Sequence, residues 1–587
     1  MKTIYATTTL IGIIFMCTTI NVIGGIHNIP SSSILFSITT IAIGIGVLCT
    51  FFIRQKTVFK FTCTDLFMVV LTISYLVYHL PLSGNRELGT GSLFFIYWCI
   101  RYTGKLNYSL IFYFILVSIT LLLITCYSQY IGLTPSNSPY FRITGPYQNP
   151  AICAGVLSLL MSILTVWLIY SHYHTCHHRT IRIIVFVLFI TSIPILIMTN
   201  CRSAWLGFIV MIVYSISSYR YRKQKKTMKH RFRKNFKYWL AGIMLLLFLI
   251  YGLYQLKPMS ANGRLLIWKV TAQMIRDKPL IGYGAEGFKQ HYMHYQAAYL
   301  KTKGTEQERY IAGNNHLAYN EPLRMTVEYG FLGVIIYIWF IYIIFKAPLH
   351  TTIASASARA VLITGTVWGL FSYPNEAFSI LVILLIAILC LSIHNKTFLY
   401  TISTAYIHKG FKVILTVIFC YLSIILFNQY KAQHTFYKIH QSTKSSNLES
   451  FIYNCSILEN NFKNEVFFWM YYCDALNEMK YDQTLQSKIQ NWERLYPSPE
   501  TYIIKAESLE RIGQEKEAEK LYWLAHFMVP SRQKARSKLA ILYKKQGKMK
   551  EALELANEIL TEKVKNYSFE TYRIHTTLER IFENRIK

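Results

Sequence analysis

An arginine set between two apolar runs is the first residue whose type and position point to chemistry. The segment TNCRSAWLG (199–207) places Arg202 at the junction of two stretches long enough to cross a bilayer. A guanidinium there is costly, and by default it marks a functional site with an anionic partner. Before residue 257 the chain holds only two carboxylates, Asp65 and Glu87. A bound anion is therefore the natural partner for Arg202. The competing reading is that Arg202 snorkels to the surface or bonds backbone carbonyls. A second unusual segment, RITGPYQNPAICAG (142–155), opens another apolar run at Asn149-Pro150. The longest polar stretch before the tail, 257–322, holds NGRLLIWKVTAQMIRDKPLIGYGAEGF and the start of NNHLAYNEPLRMTVEYGFLG. Loops of that length are usually functional. With nine Lys/Arg against five acids, this one is mildly basic.

Other patterns are decoys. Gly282-Tyr283-Gly284-Ala285-Glu286-Gly287 fits a dinucleotide-binding pattern, but no buried strand precedes it. The histidine-rich HYHTCHH (172–178) lacks a second ligand cluster and reads as a surface loop. The chain has four Asp and no Asp-x-Asp, which disfavours a metal-dependent nucleotide-sugar transferase. Paired carboxylates for glycoside hydrolysis are missing from the membrane half.

The elements that position these residues follow from composition. Of 587 residues, 53% are apolar and 15% charged, with a net charge of +32. Soluble domains carry roughly 25% charged residues. A soluble enzyme filling the chain is excluded, as is intrinsic disorder. Long apolar runs between the basic residues disfavour a nucleic-acid partner. Twelve spans are expected near 4–25, 33–53, 63–81, 108–130, 151–171, 181–199, 203–219, 238–256, 327–346, 357–373, 377–393 and 410–428. The weaker run 92–104 makes a thirteenth. The segment 220–237 carries ten Lys/Arg and no acid, and RQKTVFK (54–60) is also basic. Both belong on the cytoplasmic side, which requires an even number of spans between them and so requires 92–104. The same topology puts 257–322 and everything after about residue 430 outside. The polybasic segment serves as a topology anchor, with anionic lipid or RNA binding as the alternative. Nine of the twelve Cys lie in or at spans, and Cys455 with Cys473 would bridge only in an oxidising compartment.

Residues 430–587 change character and repeat. Gly513 and Gly547, Glu517 and Glu551, Ala518 and Ala552, and Ala506 and Ala540 are each 34 residues apart. Ala475 and Met479 suggest a fainter upstream copy. The segment LAILYKKQGKMKEALELANEIL resembles a tetratricopeptide repeat, whose period is 34 residues. The expected fold class is all-α: a polytopic bundle over 1–429, then a soluble helical-repeat domain over 430–587.

Taken in order, ITGPYQNP, TNCRSAWLG, NGRLLIW with MIRDKPLIGYGAEGF, and AYNEPLRMTVEYGFLG resemble the O-antigen ligase and O-antigen polymerase superfamily. The resemblance implies a multi-pass protein of the bacterial inner membrane, with the large loop and the tail periplasmic. It implies transfer of a glycan from a polyprenyl (undecaprenyl) diphosphate donor, without metal or other cofactor. The acceptor is lipid A-core for ligases, a second glycan for polymerases, and Ser or Thr for protein O-oligosaccharyltransferases. Arg202 matches the first of two diphosphate-binding arginines of the ligases and Arg264 the second. His316 is the candidate for their acceptor-assisting histidine. The chain departs from the His-x-His-Asn pattern, since Tyr319 stands beside Asn320 and His316 lies further upstream. Glu321 and Tyr319 are alternative proton acceptors, and His291 and His294 are more remote ones. Asn149, Asn320, Arg142, Arg276 and Arg324 are expected in supporting or peripheral places.

The chemistry is consistent with that resemblance. A diphosphate leaving group carries its own driving force, so the protein must neutralise charge on the departing phosphate. Arginine does so with a fixed bidentate fork. The acceptor hydroxyl needs a base, which a His or carboxylate supplies. A reading from another class is a non-catalytic transporter or binding protein for an anionic solute. That reading expects polar groups through the bilayer midplane, whereas the notable residues here cluster at one face. Expected partners are the lipid-linked donor, its acceptor, membrane lipids, and a glycan or protein on the tail.

Overall fold

The computed structural model describes residues 40–46, 59–80, 84–103, 106–170, 179–223, 251–252, 254–346, 352–395, 398–402, 404–442 and 448–582, with a few isolated positions besides. The expected spans 4–25, 33–53 and 238–256 lie largely outside the described residues. So do most of the polybasic segment 220–237 and all of the HYHTCHH loop with Cys176. The chain divides into two compact units, one of residues 1–246 with 336–441, the other of 247–335 with 442–587.

The first unit is a bundle of apolar helices. Among the described residues, five helices of the chain are long and apolar enough to cross a membrane: Tyr108–Tyr130, Pro150–Tyr170, Arg179–Met198, Glu321–Lys346 and Gly410–Gln441. Cys63–His79 and Phe378–His394 are shorter apolar helices. The protein is an all-α polytopic membrane protein. The weak run 92–104 lies almost wholly within a 19-residue helix, Asn85–Thr103. The expected span 203–219 lies within Arg202–Lys223, whereas 357–373 runs past the end of Ile353–Gly369. One short antiparallel strand pair, Phe59–Phe61 with Tyr400–Ile402, joins two connections.

Short polar residues start these helices. Asn107 Oδ1 accepts from Leu110 N at 3.2 Å, satisfying a donor that the first turn leaves open. Helix Pro150–Tyr170 is the most buried of the five and packs on Ile353–Gly369 and Arg202–Lys223. Small residues allow the close approach, as expected where lipid supplies no hydrophobic drive between helices. A Cβ on Gly207 would sit 2.8 Å from the backbone oxygen of Thr364. On the neighbouring contact, between Pro150–Tyr170 and Ile353–Gly369, the Ser162 and Thr364 hydroxyls bond at 2.8 Å.

Asp65 anchors a buried polar knot. Arg101 Nε and Nη2 donate to its two oxygens at 2.7 and 2.8 Å. Tyr97 and Ser392 hydroxyls add bonds at 2.8 Å each, and Thr62 caps the helix through the same carboxylate. Three helices are thereby tied together. A carboxylate this fully satisfied is tolerated in a setting that otherwise penalises charge.

The second unit joins the large loop to the tail. Its loop part comprises Pro258–Asp277, Gly287–Thr302 and Glu306–Ile311, then the first turns of Glu321–Lys346. Its tail part is a series of helix pairs: Val466–Glu478 with Asp482–Leu495, Pro499–Arg511 with Glu515–Met528, and Lys534–Lys545 with Met549–Thr561. Leu448–Leu458 precedes them and Phe569–Phe582 follows. Gly513 and Gly547 sit at φ 82 and 78 between paired helices. Gln514 N and Lys548 N bond back to Leu509 O and Tyr543 O at 2.9 Å each, so the 34-residue period is a repeated helix stop. In the upstream copy Lys480 takes the left-handed position, with φ 56, and Tyr481 N bonds Leu476 O at 2.9 Å. That turn is one residue out of register with Met479, and its lysine hides it from a search for glycine. Cys455 and Cys473 are buried free thiols.

The grouping of loop with tail has specific causes. Gln296 Nε2 donates to Met528 O at 2.6 Å and to Gly313 O at 2.9 Å. Lys565 Nζ donates to Ile311 O at 3.0 Å. The Tyr502 hydroxyl lies 2.9 Å from His294 Nε2. The helix that carries the last apolar run continues unbroken to Ser442, so residue 430 is not an element boundary.

Candidate functional site

The loop builds a compact constellation around residues 312–328. Helix Pro258–Asp277 holds one side: Trp268 Nε1 donates to Ala318 O at 3.0 Å. One turn earlier on that helix, Arg264 places its guanidinium 5.3 Å from the centre of the Tyr319 ring. Tyr319 adopts φ 49, a left-handed conformation that costs a bulky residue energy and recurs at functional positions. Burial raises the Tyr319 phenol, while the neighbouring Arg264 charge opposes that shift.

Asn320 caps the next helix, its Oδ1 accepting from Leu323 N at 3.0 Å. Glu321 opens that helix, buried at 5% exposure. Arg324 Nε donates to Glu321 Oε2 at 2.9 Å, and Arg324 Nη1 bonds Glu328. Both carboxylates are thus gathered by one arginine. Arg324, expected in a supporting or peripheral place, organises the start of this helix.

His316 lies in a pocket made by both parts of the unit. Its ring stacks on Tyr496 of the tail, centroids 3.5 Å apart and planes 24° apart. Nε2 is 2.8 Å from Asn314 Oδ1 and Nδ1 is 3.3 Å from Lys289 O. Burial pushes its pKa down to about 3; a bond to the Lys289 backbone opposes this and the Lys289 charge adds to it. The ring is therefore neutral near pH 7. A neutral imidazole has one N–H for these two oxygens, so its other nitrogen carries a lone pair. His291 and His294 are also held below the usual imidazole value, chiefly by burial. His291 packs on Tyr283, and His294 meets Tyr502 and so serves the loop–tail contact.

The glycine-rich segment has a structural task. Tyr283 N and Gly284 N donate to Val327 O and Glu328 O at 2.9 and 2.8 Å, and Phe331 N donates to Leu280 O at 3.2 Å. The helix Glu321–Lys346 breaks at Gly330, φ 58 and ψ −141, to make room. A Cβ on Gly330 would lie 2.2 Å from Leu280 O, and one on Gly282 2.5 Å from Val327 O. The segment locks against the helix that bears Glu321.

Arg202, Asn149 and Arg142 lie in the first unit. Arg202 is half-buried and begins helix Arg202–Lys223, just after Asn200 at φ 53. A cation there opposes the helix dipole, and an anion at that end would offset it. Asn149 donates to the Tyr373 hydroxyl at 2.8 Å and accepts from Ala151 N at 2.9 Å, fixing the start of its helix. Arg142 spends its guanidinium on Tyr130, bonding the backbone oxygen at 3.1 and 2.7 Å and covering the ring. It closes a helix end, the role of a C-terminal cation. Arg276 is exposed on the loop. No group of three or more His, Cys, Asp or Glu among the described residues could hold a metal ion.

Sequence reasoning missed Tyr496, Trp268 and the Asp65–Arg101 pair. Tyr496 carried no signal, being 180 residues from His316. Asp65 did, as one of two acids in a membrane half.

Residues 186–338 match a protein-family model described as O-antigen ligase. The matched stretch takes in Arg202, Arg264, His316, Tyr319, Asn320, Glu321 and Arg324. No curated protein matches the chain. The family match supports a membrane glycosyltransferase of the ligase and polymerase superfamily, a class that acts on lipid-linked glycans.

Proposed function

We propose that the protein transfers an oligo- or polysaccharide from a polyprenyl diphosphate lipid to an acceptor hydroxyl at the periplasmic face of the bacterial inner membrane. The O-antigen ligase match over 186–338 carries this reading, because it spans the arginines and the loop together. Arg202 and Arg264 hold the donor diphosphate. Their guanidinium forks neutralise charge as the leaving phosphate departs, a stabilisation that is strongest in a dry, preorganised site. No metal ion is required by this chemistry.

His316 or Glu321 takes the acceptor proton. His316 is neutral and offers a lone-pair nitrogen, and an adjacent diphosphate would raise its affinity for a proton. Glu321 is a carboxylate already oriented by Arg324. Tyr319 and Asn320 shape the turn between them. The tail helix pairs are read as tetratricopeptide-like repeats that hold a glycan chain or protein partner. Ligase, polymerase and protein glycosylation enzyme share this donor chemistry and differ in acceptor.

The test is turnover of a lipid-diphosphate-linked oligosaccharide by the purified full chain in nanodiscs. Arg264→Ala is expected to abolish transfer while the protein remains folded. Transfer at the parent rate would overturn the donor-site assignment. Absence of turnover by the parent with every acceptor class would favour the anion-transporter reading.

A further inference from the structure

The turn at Pro279–Ile281 exposes two large apolar side chains at the tip of an otherwise polar loop. Leu280 is 74% exposed and Ile281 80%. Packing within the unit does not account for them, because the segment is fixed through its backbone. Phe331 N holds Leu280 O, and Gly330 leaves the space for that approach. This bond places the tip beside the break in Glu321–Lys346, a helix apolar enough to cross a membrane.

The neighbouring residues on that helix are also apolar and exposed. Phe331 is 61% exposed and Leu332 51%, and the row continues through Ile335, Ile338, Tyr342 and Phe345. Phe331, Ile335, Ile338, Tyr342 and Phe345 follow a helical stripe of threes and fours, the pattern of a lipid-facing side. Leu280 and Ile281 therefore stand beside the N-terminal end of an exposed apolar stripe on that helix. Exposed Arg276 and Lys278 flank the tip. Asp277, the acid between them, is engaged by the Tyr295 hydroxyl at 2.5 Å. An apolar tip beside basic side chains matches a bilayer interface, with acyl chains below and phosphates above.

We infer that Leu280 and Ile281 insert into the outer-face interface of the bilayer and pin the large loop to the membrane surface. Arg276 and Lys278 meet the lipid phosphates. The inference goes beyond the proposed transferase activity and holds whether or not that reading does. Its physical consequence is that the loop carrying Arg264 and Glu321 stays at the depth of a lipid headgroup instead of lifting into water.

The experiment uses the full-length protein in nanodiscs of phosphatidylethanolamine and phosphatidylglycerol, with and without acyl-chain bromination near the headgroup. Ile281→Trp is compared with the parent, and the difference isolates the added ring from ten native tryptophans. Ile281 is almost fully exposed, so the substitution leaves packing intact. The added emission is expected to lose most of its intensity to brominated lipid and little to aqueous iodide. Quenching by iodide alone would overturn the proposal, because the tip would then lie in water. Shielding from both quenchers would also overturn it, pointing to coverage by a second copy of the chain.

Discussion

The imidazole of His316 lies flat on the phenol ring of Tyr496, with 3.5 Å between ring centres. One belongs to the loop that carries Arg264, the other to the tail. Aromatic stacking contributes about 0.5–1.5 kcal/mol beyond simple burial. Tyr496→Ala is therefore expected to destabilise the second unit by about that amount plus the lost burial, and to lower the transfer rate. Tyr496→Phe should retain both. Thermal unfolding of detergent-solubilised protein and glycan-transfer rates check this; an unaffected Tyr496→Ala enzyme would remove the tail from the proposed mechanism.

Acid should loosen the same unit. His316 and His526 are both held down to about 3 from an ordinary 6.5, chiefly by burial. A histidine with a depressed folded pKa stays neutral in the fold but takes a proton when unfolded. The stability it contributes is complete above 6.5 and declines as pH falls from 6.5 toward 3. The apparent melting temperature of the unit should fall across that window. His526→Phe should flatten the profile. A melting temperature independent of pH over that range would show the two rings to be accessible to solvent protons.

Arg202→Lys should transfer poorly even though charge is conserved. A bidentate fork becomes a point charge, and losing one charge-assisted hydrogen bond costs about 1.5–3 kcal/mol, or roughly tenfold to a hundredfold in rate. The expected change is in transfer rate with lipid-linked donor, without loss of expression. Parent-like turnover by Arg202→Lys would limit its role to bulk charge.

Gly330→Ala should fail structurally. The residue needs φ 58, and a Cβ would meet Leu280 O at 2.2 Å. Strain of this kind costs on the order of 1–3 kcal/mol before the clash is added. Lower folded yield and an earlier unfolding transition are expected, while Gly263→Ala, where a Cβ would meet nothing within 4 Å, should be benign.

Breaking the Asp65–Arg101 pair should cost about 3–5 kcal/mol, because removing one partner strands a buried charge. Asp65→Leu alone is expected to be worse than Asp65→Leu combined with Arg101→Met. Comparing the stabilities of the two variants in detergent checks this; equal loss would mean that the pair is not electrostatically coupled.

The apolar helices were legible because a bilayer imposes length and hydropathy on sequence directly. The helix stops at Gly513 and Gly547 were legible because a left-handed residue demands glycine at a fixed spacing. Where Lys480 fills the same turn, the signal weakened and the register slipped by one. Arg202, Arg264, His316 and Glu321 could be singled out from local motifs. Their partners could not. Trp268 and Tyr496 reach the site through folding, and nothing in their own neighbourhoods marks them. The glycine pattern 282–287 lacks the preceding strand of a nucleotide loop, and only the break at Gly330 reveals its partner.

The union of loop and tail has a consequence for how the protein is made. Residues 247–335 leave the ribosome well before 442–587, with further membrane helices between them. At typical synthesis rates the gap is on the order of ten seconds or more. Throughout that interval His316 lacks Tyr496, and the surface around Gln296 is bare. The newborn loop is thus an orphan that a chaperone can hold or a protease can cut. Every nascent chain passes through this exposed state before its last helices emerge.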